Sequence, residues 1–291
     1  MISVTLILIH LDQKSPLESP IYGASKVRLF DNLWQPRLSP LDDDLANLSA
    51  KSAFFIELNS GKVLFQKNAT EELPIASLTK IMTVIVGLEN KQFTDTFSVS
   101  EAAAEMEPDK MLLIANEKLT MEELLDGIFL VSANDAAEVI AEGTTGSRAE
   151  FIKLMNIKAK QLGMKNTLFI NPSGLEEDNR SQYSSAFDVA VMARYAMINW
   201  PHLIDISSSP HIFIPTNETH QDYDLYSGIN LLTTFPGVMG FKTGYTPEAG
   251  LTLVTLAKKD GKEVLGVLLG CTSRRDDAKA LLELSFKKLG I

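Results

Sequence analysis

Strand-forming runs lie at both ends of this 291-residue chain and helical periodicity lies between them, an order that few folds accommodate. Near the start, residues 52–58 and 62–67 are apolar runs around Asn59-Ser60-Gly61, the composition of a β-hairpin turn. Near the end, residues 238–245, 251–258 and 263–269 read as three consecutive antiparallel strands, the last two joined at Asp260-Gly261. These runs predict an α+β fold. One antiparallel sheet takes strands from both termini and packs with helices, and the middle of the chain supplies a helical subdomain.

Thr120-Met121-Glu122-Glu123 reads as a capping box, and Met121, Leu124, Leu125, Ile128 and Phe129 form one apolar helical face behind it. The pattern breaks at Val131-Ser132-Ala133-Asn134 and restarts at Asp135 with an acidic first turn. Further helices are expected over 148–162 (closed by Gly163), 185–198 and 277–289. A short extended piece at 167–170 leads into the turn Asn171-Pro172-Ser173-Gly174, and 211–215 is a further strand.

Composition narrows the function class. A formal charge of −10 argues against nucleic acid as a partner, since phosphate binding needs a basic face. Cys271 is the single cysteine and sits in an apolar run, as a buried small hydrophobe does. The four histidines show no ligand spacing, so neither a metal nor another cofactor is expected. Residues 1–47 read as an extended arm, with Pro16, Pro20, Pro36 and Pro40 breaking any helix. Residues 2–9 are apolar but have no Lys or Arg before them, and are too short to span a bilayer, which fits a degenerate export signal or a strand. No transmembrane helix is evident.

Chemistry concentrates in three places. In Pro74-Ile75-Ala76-Ser77-Leu78-Thr79-Lys80, Pro74 is a natural helix opener, which places Ser77 in the first turn and Lys80 on the same face. A serine becomes a nucleophile when a base takes its proton. A lysine is that base only when burial keeps it neutral. The spacing alone says little: Ser285-Phe286-Lys287-Lys288 repeats it, and a helix cap beside a solvated lysine is the plain alternative. Second, Ser132-Ala133-Asn134 lies in a break between helices, where extended backbone would aim a hydroxyl and an amide at one point. An ordinary turn with Asn134 capping the next helix is the alternative. Third, Gly240-Phe241-Lys242-Thr243-Gly244-Tyr245 places glycines within a strand, a sign of close approach by backbone or ligand. Lys242 and Thr243 there suit a carboxylate, against the alternative of an edge strand with a solubilising lysine.

In this order, Ser77-x-x-Lys80, Ser132-x-Asn134 and Lys242-Thr243-Gly244 match the active-site set of serine penicillin-recognising enzymes. With Asn171-Pro172-Ser173-Gly174-Leu175 and Tyr245-Thr246, residues 48–291 resemble the D-alanyl-D-alanine carboxypeptidases, the low-molecular-mass penicillin-binding proteins of the β-lactamase/DD-peptidase superfamily. The resemblance implies a serine DD-peptidase domain over 48–291, with no additional C-terminal domain, working on the outer side of the cytoplasmic membrane. It implies peptidoglycan stem peptides ending in D-Ala-D-Ala as substrate and β-lactam antibiotics as inhibitors.

Carried over by residue, the resemblance makes Ser77 the nucleophile, Lys80 its base, and the N–H groups of Ser77 and Tyr245 the oxyanion hole. Ser132 relays a proton to the departing D-alanine and Asn134 holds the substrate backbone. Lys242 and Thr243 bind the terminal carboxylate, Gly244 leaves room for the peptide, and either Arg274 or Arg275 assists. Met239 stands where relatives often have an acid, and residues 109–117 are less typical of them. The rivals are a DD-endopeptidase, a β-lactamase, for which Glu176-Glu177-Asp178-Asn179 lacks the usual Glu-to-Asn spacing, and an inactive wall-binding module.

Overall fold

The structure, a computed structural model, describes residues 48–177, 180 and 182–291. The expected arm over residues 1–47 lies outside the described residues. In chain order come β1 (Ser52–Glu57), β2 (Val63–Lys67), β3 (Leu73–Pro74), a 3₁₀ turn (Ala76–Thr79), α1 (Lys80–Asn90), β4 (Thr96–Ser98), α2 (Glu101–Ala104) and β5 (Lys118–Thr120). Next are α3 (Met121–Leu130), α4 (Asn134–Thr145), α5 (Arg148–Gln161), β6 (Tyr183–Ser184), α6 (Ala186–Asn199), α7 (His202–Ser208), β7 (His211–Ile214) and β8 (Tyr223–Tyr226). The chain closes with α8 (Leu231–Thr234), β9 (Val238–Thr246), β10 (Gly250–Lys259), β11 (Lys262–Cys271) and α9 (Arg274–Lys288).

Both termini do share one sheet, in the antiparallel order β2-β1-β11-β10-β9. Its strands are apolar on both faces because both are covered. Phe54, Ile56, Val254, Leu256, Leu265 and Val267 enter the core shared with the helical region. Ala53, Phe55, Leu253, Val264 and Leu268 pack instead with Ala278, Leu281 and Phe286 of α9. The alternation of a strand is thus kept while both faces of β1 and of the middle of β10 and β11 are buried. Phe55 lies opposite Gly266, whose missing Cβ leaves room for its ring. Cys271 is buried, and burial pushes its thiol up to about 12.

The helical region follows its caps. Thr120 forms the expected capping box with Glu123, and Ser147 and Ser185 cap α5 and α6. Three expectations shift. Pro74 does not open a helix: it pairs with Tyr183 in a two-residue ladder, a place where its missing N–H costs nothing. Ser77 therefore sits in the 3₁₀ turn, and α1 begins at Lys80. The restart expected at Asp135 falls at Asn134, with Ala133 at the cap position. The short pieces β4, β5, β8 and α8 had no legible pattern, being three or four residues long.

Candidate active site

Two positive-φ residues frame the site. Ala76 (φ 48°) precedes Ser77, and Ser132 itself has φ 61°. Left-handed backbone at a non-glycine residue costs roughly 1–3 kcal/mol, and such strain gathers where geometry serves function. At Ala76 it turns the chain so that the 3₁₀ turn presents Ser77 above Lys80, since side chains three apart eclipse in such a turn.

Lys80 is fully buried. Its Nζ lies 2.9 Å from Ser77 Oγ, 2.7 Å from Asn134 Oδ1 and 2.6 Å from the Ser173 carbonyl oxygen. A neutral amine has two N–H donors and one lone pair. The ammonium form donates to all three; once neutral, the amine that still donates to Asn134 and Ser173 has its lone pair for the Ser77 hydroxyl. Burial lowers the Lys80 pKa to about 7, against the more distant pull of Asp109, Asp135 and Glu138.

Opposite stands a second pair. Lys242 Nζ donates to Ser132 Oγ at 2.8 Å and to the Thr243 carbonyl at 2.9 Å. Packing of Phe129 on Phe241, with ring centroids 4.9 Å apart, brings the end of α3 to β9 and so brings the pair together. Burial holds the Lys242 amine well below its usual range, with Lys80 and Arg274 pushing the same way.

β9 is one of the two edge strands of the sheet, and its glycines admit neighbours. A Cβ on Gly244 would stand 2.6 Å from Thr252 Oγ1 and 2.9 Å from the Ser77 nitrogen. The room at Gly244 is thus already taken by the Ser77 turn, which Thr252 also ties down by donating to the Ile75 carbonyl at 3.2 Å. Gly240 likewise makes way for Ser207 of α7. Thr243 is half-buried, while Tyr245 is 62% exposed at the rim. Of the two arginines, Arg274 reaches the site, donating to the Gly244 carbonyl at 2.9 Å, whereas Arg275 is exposed and faces Asp276.

The profile of the D-alanyl-D-alanine carboxypeptidase family, peptidase S11, matches residues 40–273. The chain belongs to that family. It is 38% identical to D-alanyl-D-alanine carboxypeptidase DacF of Bacillus subtilis (strain 168) over 247 residues, covering 82% of this chain and 62% of the relative. The chain thus spans less than two thirds of that relative's length. Among solved structures it is similar to the D-alanyl-D-alanine carboxypeptidase of Mycobacterium tuberculosis H37Rv, with TM-score 0.77 and 29% identity over 86% of this chain and 94% of that one. It is also similar to penicillin-binding protein D2 of Listeria monocytogenes with cefotaxime bound, at TM-score 0.69 and 29% identity over 87% of this chain and 100% of that one. These likenesses agree with the α+β expectation and with the family resemblance carried by the three motifs.

The structure brings Ser77, Lys80, Ser132, Asn134, Lys242, Thr243 and Gly244 around one cleft in this family member, with Tyr245 at its rim. Asn134 does not cap α4: its side chain is turned to Lys80, and its own N–H donates to the Asp109 carbonyl at 2.8 Å. Asp135, expected as a favourable first-turn acid, instead accepts from the N–H groups of Met111, Leu113 and Ala136, bracing the loop 109–113. The sequence reading assigned no role to Ser173, whose contribution is a backbone carbonyl. The Asn171-Pro172-Ser173-Gly174 turn was its only sign: Asn171 Oδ1 accepts from Gly174 N, and a Cβ on Gly174 (φ 97°) would strike the Ala76 carbonyl. Among the described residues no group of three or more His, Cys, Asp or Glu side chains is placed to hold a metal ion, and no helix is long and apolar enough to cross a membrane.

Proposed function

We propose that this chain is a serine D-alanyl-D-alanine carboxypeptidase that trims peptidoglycan stem peptides through an acyl-enzyme on Ser77, and that β-lactams acylate the same oxygen. The catalytic unit is residues 48–291, and the work is done on the outer side of the cytoplasmic membrane. One observation carries the reading: a buried Lys80 with its pKa lowered to about 7 lies 2.9 Å from Ser77 Oγ and also touches Asn134 and Ser173, so that on losing a proton it can turn its lone pair to Ser77.

The steps follow from that geometry. Lys80 takes the Ser77 proton as Oγ bonds to the carbonyl carbon of the penultimate D-alanine. The resulting oxyanion is held by the N–H groups of Ser77 and Tyr245; such a donor is typically worth about 10²–10³ in rate. The C–N bond then breaks, and the Lys242–Ser132 pair passes a proton to the departing amine. Lys242, Thr243 and Arg274 receive the terminal carboxylate, a cationic pocket in an otherwise acidic chain. Water hydrolyses the Ser77 ester, releasing the shortened stem peptide. With a β-lactam the leaving nitrogen stays tethered, so the ester persists.

Among the described residues of the 176–179 stretch, neither glutamate is placed to activate water as a β-lactamase requires. Glu177 is held by both prongs of Arg148 and by Asn171 Nδ2, and Glu176 is exposed beside Glu248. Asp178 and Asn179 of that stretch lie outside the described residues. Intact-protein mass spectrometry after adding benzylpenicillin tests the proposal. A persistent adduct of one penicillin on the Ser77 peptide is expected, whereas hydrolysis of the drug without an adduct overturns it in favour of β-lactamase. Product masses from linear and cross-linked muropeptides separate the carboxypeptidase from an endopeptidase.

A further inference from the structure

The two groups that occupy Lys80 come from different elements: Asn134 from the start of α4, and the Ser173 carbonyl from the loop 171–177. These elements are not packed solidly against each other. An open pocket of about 280 Å³ lies between them, lined by Glu138, Glu142, Arg148, Asn171, Ser173 and Glu177 among others. Across it reaches a single guanidinium. Arg148 Nε donates to Glu138 Oε2 at 3.0 Å, one helical turn beyond Asn134 on the same face of α4. Its two terminal nitrogens donate to the Glu177 carboxylate at 3.2 and 2.7 Å. Asn171 Nδ2 holds the same carboxylate at 3.3 Å and the Leu175 carbonyl at 2.8 Å, which carries the constraint back along the loop to Ser173.

We propose that Arg148 is a positioning residue for the acylation reaction: by forking between Glu138 of α4 and Glu177 of the loop, it fixes the spacing of the two acceptors that hold Lys80. The proposal rests on the reading of Lys80 as the base of Ser77. A planar, two-pronged guanidinium suits this role because it sets a distance and an angle together, which an ammonium does not. The Arg148–Glu177 pair is open to solvent on both sides, with side chains 36% and 40% exposed, so it adds little to stability. Its effect is on geometry. Glu138 differs: its side chain is 4% exposed, and among the described residues its Oε1 has no hydrogen-bond partner, so it depends on Arg148. Deleting the arginine would strand a buried carboxylate and confuse folding with positioning. The informative variants keep a cation there or break only the loop side.

Those variants are Glu177→Gln and Arg148→Lys. The charged groups around Lys80 are Asp109, Asp135 and Glu138 on one side and Lys242 on the other, and none of them is altered. Once the loop loosens, water reaches Lys80 and relieves the burial that lowers its pKa. The first readout is the titration of Lys80 in the resting protein, by NMR of ¹³Cε-labelled lysine, with the signal assigned by its loss in Lys80→Ala. The second is the pH profile of acylation by a fluorescent penicillin, with the melting temperature as control for folding. The expected result is a Lys80 midpoint moved up by about one unit in both variants, lowering acylation at pH 7 about fivefold through the smaller neutral fraction, with melting almost unchanged. A midpoint that stays at its wild-type value in both overturns the proposal, whether acylation is unchanged or falls equally at every pH. The NMR titration needs no reaction, so it decides the role of Arg148 even if wild-type protein takes no penicillin, a result that would count against the proposed function instead.

Discussion

Two serine–lysine pairs face each other across the cleft, and they are built in opposite ways. Ser77 and Lys80 lie three residues apart, joined by one 3₁₀ turn. Ser132 and Lys242 lie 110 residues apart and meet where the end of α3, through Phe129 on Phe241, reaches β9. The local pair is assembled whenever its turn forms. The distant pair is assembled only when the helical region and the sheet are in register. Their chemistry differs in the same way. Lys80 has three partners and is proposed as the base, whereas Lys242, which among the described residues meets a hydroxyl and a carbonyl, is proposed to receive the substrate's carboxylate.

The largest break falls on the local pair. Ser77→Ala should abolish the penicillin adduct without altering the fold; an adduct that persists places the nucleophile elsewhere. Lys80→Ala should slow acylation by about 10²–10⁴, the usual weight of a general base, and a change confined to substrate affinity would remove Lys80 from that role. Wild-type acylation should show an acidic limb with its midpoint near pH 7, where Lys80 loses its proton. The sign is fixed by the shift. The folded-state pKa lies below the unfolded value, so between about 7 and 10.4 the unfolded chain binds more protons and this lysine's contribution to stability rises with pH.

A smaller effect is expected where sheet and turn touch. Gly244→Ala adds a Cβ 2.9 Å from the Ser77 nitrogen and 2.6 Å from Thr252 Oγ1, so β9 must retreat from the turn. Loss of one oxyanion donor then sets the scale, about 10²-fold in acylation. A stopped-flow measurement that finds less than about twofold would mean that β9 yields without disturbing Ser77, separating the two pairs mechanically.

The same contrast explains what could be read from the sequence. Ser77 and Lys80 are a local spacing, and the hairpin around Asn59-Ser60-Gly61, the capping box at Thr120 and the three C-terminal strands are local patterns too. That strands from both ends share one sheet followed from their order, although neither the pairing of β1 with β11 nor the burial of both sheet faces showed, because a period of two is invisible along an apolar run. Pro74 misled because its fixed φ suits a helix start and a short strand equally. Ser173 acts through a carbonyl that any residue possesses, and Arg148 through a contact with Glu177 29 positions away, so neither residue type carried a signal. Arg274 was separable from Arg275 only once the start of α9 was known: one faces the Gly244 carbonyl, the other the solvent.

The smallest expected effect sharpens the comparison most. If Lys80 must be neutral to act and Lys242 must be charged to hold a carboxylate, the two amines in one cleft are driven in opposite directions by substrate. Burial, Lys80 and Arg274 all hold the Lys242 pKa down. A carboxylate arriving beside it favours the ammonium form and raises that pKa. Binding must then take up protons wherever Lys242 is neutral in the free protein and charged in the complex, to a limit of one. Calorimetry on Ser77→Ala protein with a D-Ala-D-Ala peptide, in buffers of different ionisation enthalpy, reads this directly. Uptake that disappears in Lys242→Gln assigns the proton to that residue. Zero uptake from neutral to mildly alkaline pH would mean that Lys242 is charged before substrate binds. The two pairs would then differ in their distance along the chain and no longer in their state of charge.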